Sequence, residues 1–178
     1  MTPAGVPSKA ITVSLFDEMH EASVMYLLFD CCGSRVWVRN MIEHRPYGTL
    51  DRVLQGADTE WNALRPDDWL EAFRAHPRIG EARAVGQSVV SARMSASEQS
   101  AFAKSDAVER AQFAQLNLMY EERFGHIFIV CASGMSAMEI ETQLRSRLTN
   151  PPEQELRVAA EEQRKITRQR LERALEEG

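Results

Sequence analysis

The sequence has few of the residues that mark several protein classes. Its 178 residues include 3 cysteines, 9 glycines and 7 prolines. The cysteine count is odd, and Cys31 and Cys32 are adjacent and poorly placed to pair with each other, which excludes a disulfide-stabilised scaffold and predicts a reducing compartment. The small share of glycine and proline, with a mean hydropathy of -0.36, excludes a fibrous or wholly disordered chain.

Long hydrophobic runs are also lacking. The longest, 24–29 and 127–132, are far below the roughly 18 residues that a membrane-spanning helix requires. The first ten residues lack the apolar centre of a secretory signal peptide. We therefore expect no membrane span and no export.

Charge and motif content exclude further classes. With 21 basic and 26 acidic side chains, the net charge of -5 provides no general attraction for nucleic acid or for an anionic membrane. CxxC and HExxH patterns are absent from the sequence and the 4 histidines are scattered, so we predict no metal site. The glycine-rich signatures of nucleotide and dinucleotide sites are absent as well.

What is present predicts one globular, all-α domain. A chain of this length with 44% hydrophobic residues can bury a sizeable core, so we expect a helical bundle over 13–178 after a flexible tail over 1–12. A short extended segment is predicted at 127–132, and a loop at 80–94. Apolar spacing and capping residues predict helices at about 14–31, 49–54, 59–64, 66–76, 95–124 (with a candidate break at Ser105-Asp106), 136–148 and 152–175.

The first candidate for chemistry is His76. Imidazole is the side chain whose ordinary pKa lies near neutral pH, and Pro77 forces the preceding helix to end at this residue. Taken alone, a histidine before a proline is more typical of a capping or packing residue than of a general acid or base.

The second candidate is a polar cluster of Ser95, Glu98 and Gln99. It offers a hydroxyl, a carboxylate and an amide within one helical turn. The same S-x-x-E spacing is that of a helix-capping box, and spacing alone favours the capping interpretation.

The third candidate is Arg170 in the last predicted helix. It shares a helical face with Ala159 and Ile166, so it is expected to point towards the core. A guanidinium there either pairs with a structural carboxylate or presents its planar fork to a bound carboxylate or ureide. On spacing alone, a solvated or snorkelling arginine is favoured.

A resemblance to a known family connects these candidates. Six segments in order resemble the family of 2-oxo-4-hydroxy-4-carboxy-5-ureidoimidazoline (OHCU) decarboxylase, which acts in urate degradation. The segments are Phe73–Gly80, Ser95–Gln99, Asn117–Gly125, Phe128–Val130, Arg147–Asn150 and Lys165–Leu171. One departure is visible, because many members have Phe-Gly-Phe-Pro-Phe where this chain has Phe124–Phe128 with His126 and Ile127 in the middle. The missing proline affects the expected path of the pocket wall.

The resemblance implies an all-helical, usually homodimeric enzyme that needs neither metal nor organic cofactor. It implies decarboxylation of OHCU to S-allantoin, the last step from urate to allantoin, after urate oxidase and hydroxyisourate hydrolase. The implied catalytic residues are His76 and Glu98. The implied substrate-binding residues are Pro77, Ser95, Gln99, Phe128, Ile129, Val130, Cys131, Ala132 and Arg170.

Two other functions remain open from the residues alone. One is a non-catalytic helical module for binding or dimerisation, in which the motifs are caps and packing. The other is an enzyme of the same fold acting on a related ureide. Convergence of His76, Glu98 and Arg170 on one cavity would favour an enzyme. The C-terminal Leu175–Gly178 does not match the peroxisomal S-K-L signal, so we expect the cytoplasm of a bacterium.

Overall fold

Helices make up most of the part of the chain that the structure describes. The structure is a computed structural model, and it describes residues 10–78 and 107–178. In these ranges the helices are α1 (Val13–Glu18), α2 (Glu21–Cys31), α3 (Arg35–Glu43), α4 (Leu50–Asn62), α5 (Pro66–Arg74), α6 (Ala107–Phe124), α7 (Ala137–Arg147) and α8 (Pro152–Ala174). Two short strands, β1 (Ile11–Thr12) and β2 (Leu175–Glu176), pair in parallel. The predicted all-α class is confirmed.

The prediction of one helix over 14–31 is wrong, because local caps divide it into α1 and α2. The Thr12 side chain accepts a hydrogen bond from the Leu15 N–H and begins α1. The Met19 N–H donates to the Leu15 carbonyl and ends α1, and His20 Nδ1 then accepts from the Ala22 N–H and begins α2. Apolar spacing continues across the break, so periodicity alone does not reveal it.

Two further predictions in the first half are wrong. The region around Trp37 had no predicted helix but forms α3, whose first turn is capped by the Ser34 side chain accepting from the Trp37 N–H. The predicted helices 49–54 and 59–64 form one helix, α4, which runs through Gly56. A Cβ at Gly56 would lie 2.6 Å from Cε1 of Tyr47, so this glycine permits a close approach and does not break the helix.

The later boundaries agree better with the sequence. Helix α5 begins at Pro66 and ends at Arg74, two residues before the predicted end. At the start of α7, Ser136 and Glu139 form the predicted capping box. Gly125, with φ 73°, follows α6 at its predicted end. The predicted loop 80–94 and the predicted start of the long helix at Ser95 lie outside the described residues.

Two compact units make up the chain. The first joins Met1–Ala72 with Arg164–Gly178, and the second is Phe73–Gln163. In the first unit, Trp37 is fully buried and its Nε1–H donates to the Ala57 carbonyl at 3.0 Å. The core of the second unit consists of Phe113, Leu116, Tyr120, Phe128, Val130, Ala132, Ile140 and Leu144.

The remaining sequence expectations concern domain organisation, disulfides and membrane-spanning helices. A single domain over 13–178 with a tail over 1–12 stays a prediction, and 1–9 lie outside the described residues. Cys31, Cys32 and Cys131, all of which lie among the described residues, form no disulfide. In the described ranges, no helix combines the length and the apolar character needed to cross a membrane.

Candidate active site

His76 lies in the turn that ends α5, as the sequence predicts. Its backbone N–H donates to the Phe73 carbonyl at 3.1 Å, one turn earlier, and its side chain is half-buried. Pro77 follows and is buried. Because proline disfavours helical geometry in the residue before it, the imidazole lies at a helix end.

Contacts on both sides of His76 hold this turn in the second unit. Before it, the Phe73 ring lies 5.3 Å from the imidazole of His126, measured between centroids. After it, Arg78 binds Glu121 of α6 through Nε–Oε1 at 2.5 Å and Nη2–Oε2 at 2.9 Å. A bidentate pair of this kind limits rotation of the guanidinium and so constrains the backbone beside His76.

The segment 127–132 crosses the second unit without forming helix or strand. Phe128, Ile129, Val130 and Ala132 are buried in it, and Cys131 is half-buried. A chain without regular structure has no ladder of hydrogen bonds, so its peptide groups need other partners. Two are side chains, because Arg147 Nη1 donates to the Ile129 carbonyl and the Cys131 N–H donates to Glu162 Oε2, both at 2.8 Å.

Arg147 belongs to a buried polar network between α7 and α8. Its Nε donates to Glu155 Oε1 at 2.7 Å, and its guanidinium lies 4.6 Å from the centroid of the Phe128 ring. Glu155 also accepts from the Tyr120 hydroxyl and, at 2.7 Å, from Asn150 Nδ2. Burial raises the pKa of Tyr120 well above its usual range, so this hydroxyl stays protonated and donates.

Sequence reasoning did not single out Arg147 or Glu155, although a signal was present. Arg147 follows Ile140 by seven residues and Leu144 by three, which places it on the buried face of α7. Glu155 precedes Ala159 by four residues on the buried face of α8. A charged residue in register with core residues on each of two neighbouring helices indicates a buried ion pair.

His126 is a second imidazole in this region. Its ring packs among the rings of Phe73, Tyr120 and Phe124, and its Nδ1 lies 3.0 Å from the Ile127 carbonyl oxygen. Burial lowers the pKa of His126, and the hydrogen bond to Ile127 opposes that effect only in part. The sequence had marked this position only as a departure from the pattern of the related family.

Arg170 is buried in the first unit, which agrees with the expected orientation towards the core and contradicts the solvated arginine that spacing alone favours. It is 3% exposed, and its Nη1 donates to the Asp30 carbonyl in the last turn of α2 at 3.2 Å. The carbonyls that end a helix lack partners within it and attract cations. Burial raises the pKa of neighbouring Cys32 to about 12, with the Arg170 charge among the opposing causes. The Cys32 thiol is therefore protonated at neutral pH.

The family of the chain follows from comparison with known proteins. The family model described as OHCU decarboxylase matches residues 17–172. The chain belongs to the OHCU decarboxylase family. The match includes every position to which the resemblance assigns a role, from His76 to Arg170.

The matches to curated proteins cover different shares of those proteins. It is 40% identical over 142 residues to the Arabidopsis thaliana uric acid degradation bifunctional protein TTL, a match that covers 79% of this chain and 44% of that protein. It is 43% identical over 67 residues to the OHCU decarboxylase of Amia calva, which covers 38% of each. The chain therefore spans less than half of the length of these two relatives. With the OHCU decarboxylase of Mus musculus it is 33% identical, and the match covers 71% of each protein.

Solved structures show the same family fold. A crystal structure of OHCU decarboxylase in the presence of (S)-allantoin superposes with a TM-score of 0.71 at 35% identity, covering 86% of this chain and 96% of that one. A crystal structure of (S)-allantoin synthase has a TM-score of 0.71 at 20% identity, covering 93% of this chain and 54% of that one, and supports the fold alone.

The predicted site residues are only partly described. Ser95, Glu98 and Gln99 lie outside the described residues. His76 belongs to the second unit and Arg170 to the first, so their convergence on one cavity stays a prediction. Among residues 10–78 and 107–178, no group of three or more His, Cys, Asp or Glu side chains is placed to hold a metal ion.

Proposed function

We propose that this protein decarboxylates OHCU to S-allantoin. The observation that carries the proposal is the match of the family model over 17–172. The crystal structure of an OHCU decarboxylase supports it, because that protein is 35% identical to this chain and the match covers 96% of its length. The proposal concerns this one activity of the chain. The name of the bifunctional Arabidopsis relative indicates a second activity, which is not part of the proposal.

The chemistry suits a protein that supplies only acid, base and binding groups. In OHCU the carbon that bears the carboxylate also bears a hydroxyl and adjoins the imine carbon of the ring. When its bond to the carboxylate breaks and carbon dioxide leaves, the electron pair moves into the heterocycle. The ring nitrogen of the imine then takes up a proton, which leaves an enol. The enol gains a proton at the former imine carbon while its hydroxyl loses one and becomes the ring carbonyl of allantoin. Because the substrate is its own electron sink, no carbanion-stabilising cofactor is required for this step.

The roles of the residues are carried over from the family and remain part of the proposal. His76 is the general acid and base for the substrate hydroxyl and for the proton transfer, and Glu98 orients its imidazole or shares the proton. Delivery of the proton to one face yields the S isomer. Arg170 and Gln99 hold the ureido or carboxylate oxygens. The remaining contacts are assigned to Pro77, Ser95 and the backbone of Phe128, Ile129, Val130, Cys131 and Ala132.

The position of His76 supports its part in this scheme. It is half-buried at a helix end, and the Phe73 and Arg78 contacts limit movement of the backbone on either side. A general acid and base needs a fixed position and access to its substrate, and a half-buried imidazole at a constrained turn provides both.

The rate of substrate loss tests the proposal. Urate, urate oxidase and hydroxyisourate hydrolase generate the short-lived substrate in place, and its decay is followed with increasing amounts of this protein. We expect a decay rate that rises in proportion to protein concentration. A rate equal to the spontaneous one, with protein shown to be folded by circular dichroism, would refute the proposal and favour a binding module or a different ureide.

Assembly, partners and location extend the proposal. We expect a homodimer, which light scattering coupled to size-exclusion chromatography tests against the monomer mass of 20.2 kDa. We expect coupling to urate oxidase and hydroxyisourate hydrolase through the unstable intermediate, in the cytoplasm of a bacterium. Elution as a monomer at all concentrations would refute the dimer.

A further inference from the structure

The irregular segment 127–132 depends on side chains for the placement of its peptide groups. A helix or strand would fix each peptide plane through a repeating hydrogen-bond pattern, and this segment is neither. Its buried side chains fix its depth in the second unit, but apolar packing is non-directional and does not set where an N–H or a C=O points.

Arg147 holds the segment at one point. Its Nη1 donates to the Ile129 carbonyl at 2.8 Å, while Nε and Nη2 bind Glu155 Oε1 at 2.7 and 2.6 Å. Since the guanidinium is planar and rigid, fixing one edge on Glu155 also fixes the direction of the N–H that reaches Ile129. The Tyr120 hydroxyl, 3.3 Å from Nη2, joins the same arrangement.

The burial of this ion pair indicates that its role is geometric. The side chains of Arg147 and Glu155 are 8% and 0% exposed, so both charges have lost nearly all contact with water. Desolvation of two ions commonly offsets their attraction, and apolar residues of similar volume would give comparable stability. What apolar residues would not supply is a directed hydrogen bond to the Ile129 carbonyl.

Glu162 of α8 holds the segment at a second point. Its Oε2 accepts from the Cys131 N–H at 2.8 Å. The two contacts are made to a carbonyl and to an amide on either side of Val130. Arg147 and Glu162 thus approach the segment from two helices and fix the peptide orientation on both sides of one residue.

We infer that Arg147, held by Glu155, and Glu162 are positioning residues for substrate binding. They act through the backbone of residues 129–131, which the proposed function assigns to the substrate, and the inference rests on that function. By setting the directions of these peptide groups before substrate arrives, the two side chains remove an ordering cost from binding. Loosening either contact therefore weakens substrate binding more than it slows the chemical step.

Glu162 is tested with variants that separate its hydrogen bond from its charge. Glu162→Leu removes the acceptor, and Glu162→Gln keeps an acceptor without the charge. Glu141→Leu is the control, because Glu141 is a partly exposed carboxylate on α7 that pairs with Arg145 one turn later in the same helix. We expect Glu162→Leu to raise KM about tenfold, a size typical of one hydrogen bond to a charged group, with kcat changed by less than about threefold. Glu162→Gln should recover most of the loss.

Arg147 is tested with the neutral pair Arg147→Met/Glu155→Leu. It leaves neither charge of this pair buried without its partner, so it should fold, and it lacks the directed donor to Ile129. We expect a raised KM in the folded double variant. If the ion pair is merely structural, the double variant should have the KM of the wild type. That result would overturn the role of Arg147.

Amide hydrogen exchange provides a readout that does not depend on activity. We expect the Cys131 amide to exchange about tenfold faster in Glu162→Leu than in the wild type and the Glu141→Leu control. Unchanged exchange, or a wild-type KM in an active Glu162→Leu variant, would overturn the inference alone. A wild-type protein without decarboxylase activity would instead refute the proposed function and, with it, the substrate role of these residues.

Discussion

Removal of Glu155 should cost far more stability than removal of a comparable exposed carboxylate. Glu155 is fully buried and accepts hydrogen bonds from Arg147, Tyr120 and Asn150. In Glu155→Leu the Arg147 charge stays buried without its counter-ion, which costs about 3–5 kcal/mol in known cases. For a chain of this length, with a shift of about 2–4 °C per kcal/mol, we expect the melting temperature to fall by roughly 6–20 °C.

The matched control concerns an exposed ion pair of Arg145, which lies on α7 as Arg147 does. Arg145 pairs with Glu141 one turn earlier, and these side chains are 56% and 30% exposed. Glu141→Leu should change the free energy of unfolding by less than about 0.5 kcal/mol, because water and salt screen such pairs. Urea denaturation followed by far-ultraviolet circular dichroism measures both variants. Equal shifts for Glu155→Leu and Glu141→Leu would refute the reasoning from burial.

Three further predictions concern the imidazoles and the buried arginine of α8. His76→Asn should lower kcat by about 10²- to 10⁴-fold without changing the melting temperature, and unchanged turnover in the coupled assay would remove His76 from catalysis. Burial lowers the pKa of His126 in the folded state, so at a pH below the usual pKa of about 6.5 the unfolded chain binds a proton more readily than the folded chain does. The wild type should therefore lose more stability than His126→Phe when the pH falls from about 7.5 to about 5.5. Parallel plots of unfolding free energy against pH, measured by urea denaturation, would contradict this. Arg170→Lys should lower kcat/KM despite its retained charge, because the planar fork is lost, and normal steady-state kinetics would show that Arg170 is structural.

The fold was predictable where each element carries its own boundary signal. The Ser136 and Glu139 capping box, the proline at the start of α5 and the glycine after α6 all mark ends that the structure contains. Predicted helix boundaries were wrong where the structure depends on a contact between residues distant in sequence. Gly56 resembles a helix breaker, and only the Tyr47 ring lying against it shows why a glycine occurs inside α4.

The sequence predicted the positions of two candidate site residues, and it indicated less about the side chains that support the site. Pro77 placed His76 at a helix end, and helical spacing placed Arg170 towards the core. Glu162, which holds the backbone of the segment 127–132, was not found, because it meets Cys131 across a separation of 31 residues. No periodic pattern links two positions so far apart, and only the packing of α8 in the second unit reveals the contact.

The chirality of the product tests the central claim most directly. Allantoin formed from enzymatically generated OHCU, with and without this protein, is followed by circular dichroism. The account predicts rapid appearance of the S isomer only when the protein is present, because the spontaneous reaction has no preferred face for protonation. Racemic allantoin, formed at the spontaneous rate in the presence of folded protein, would contradict the assignment as a decarboxylase.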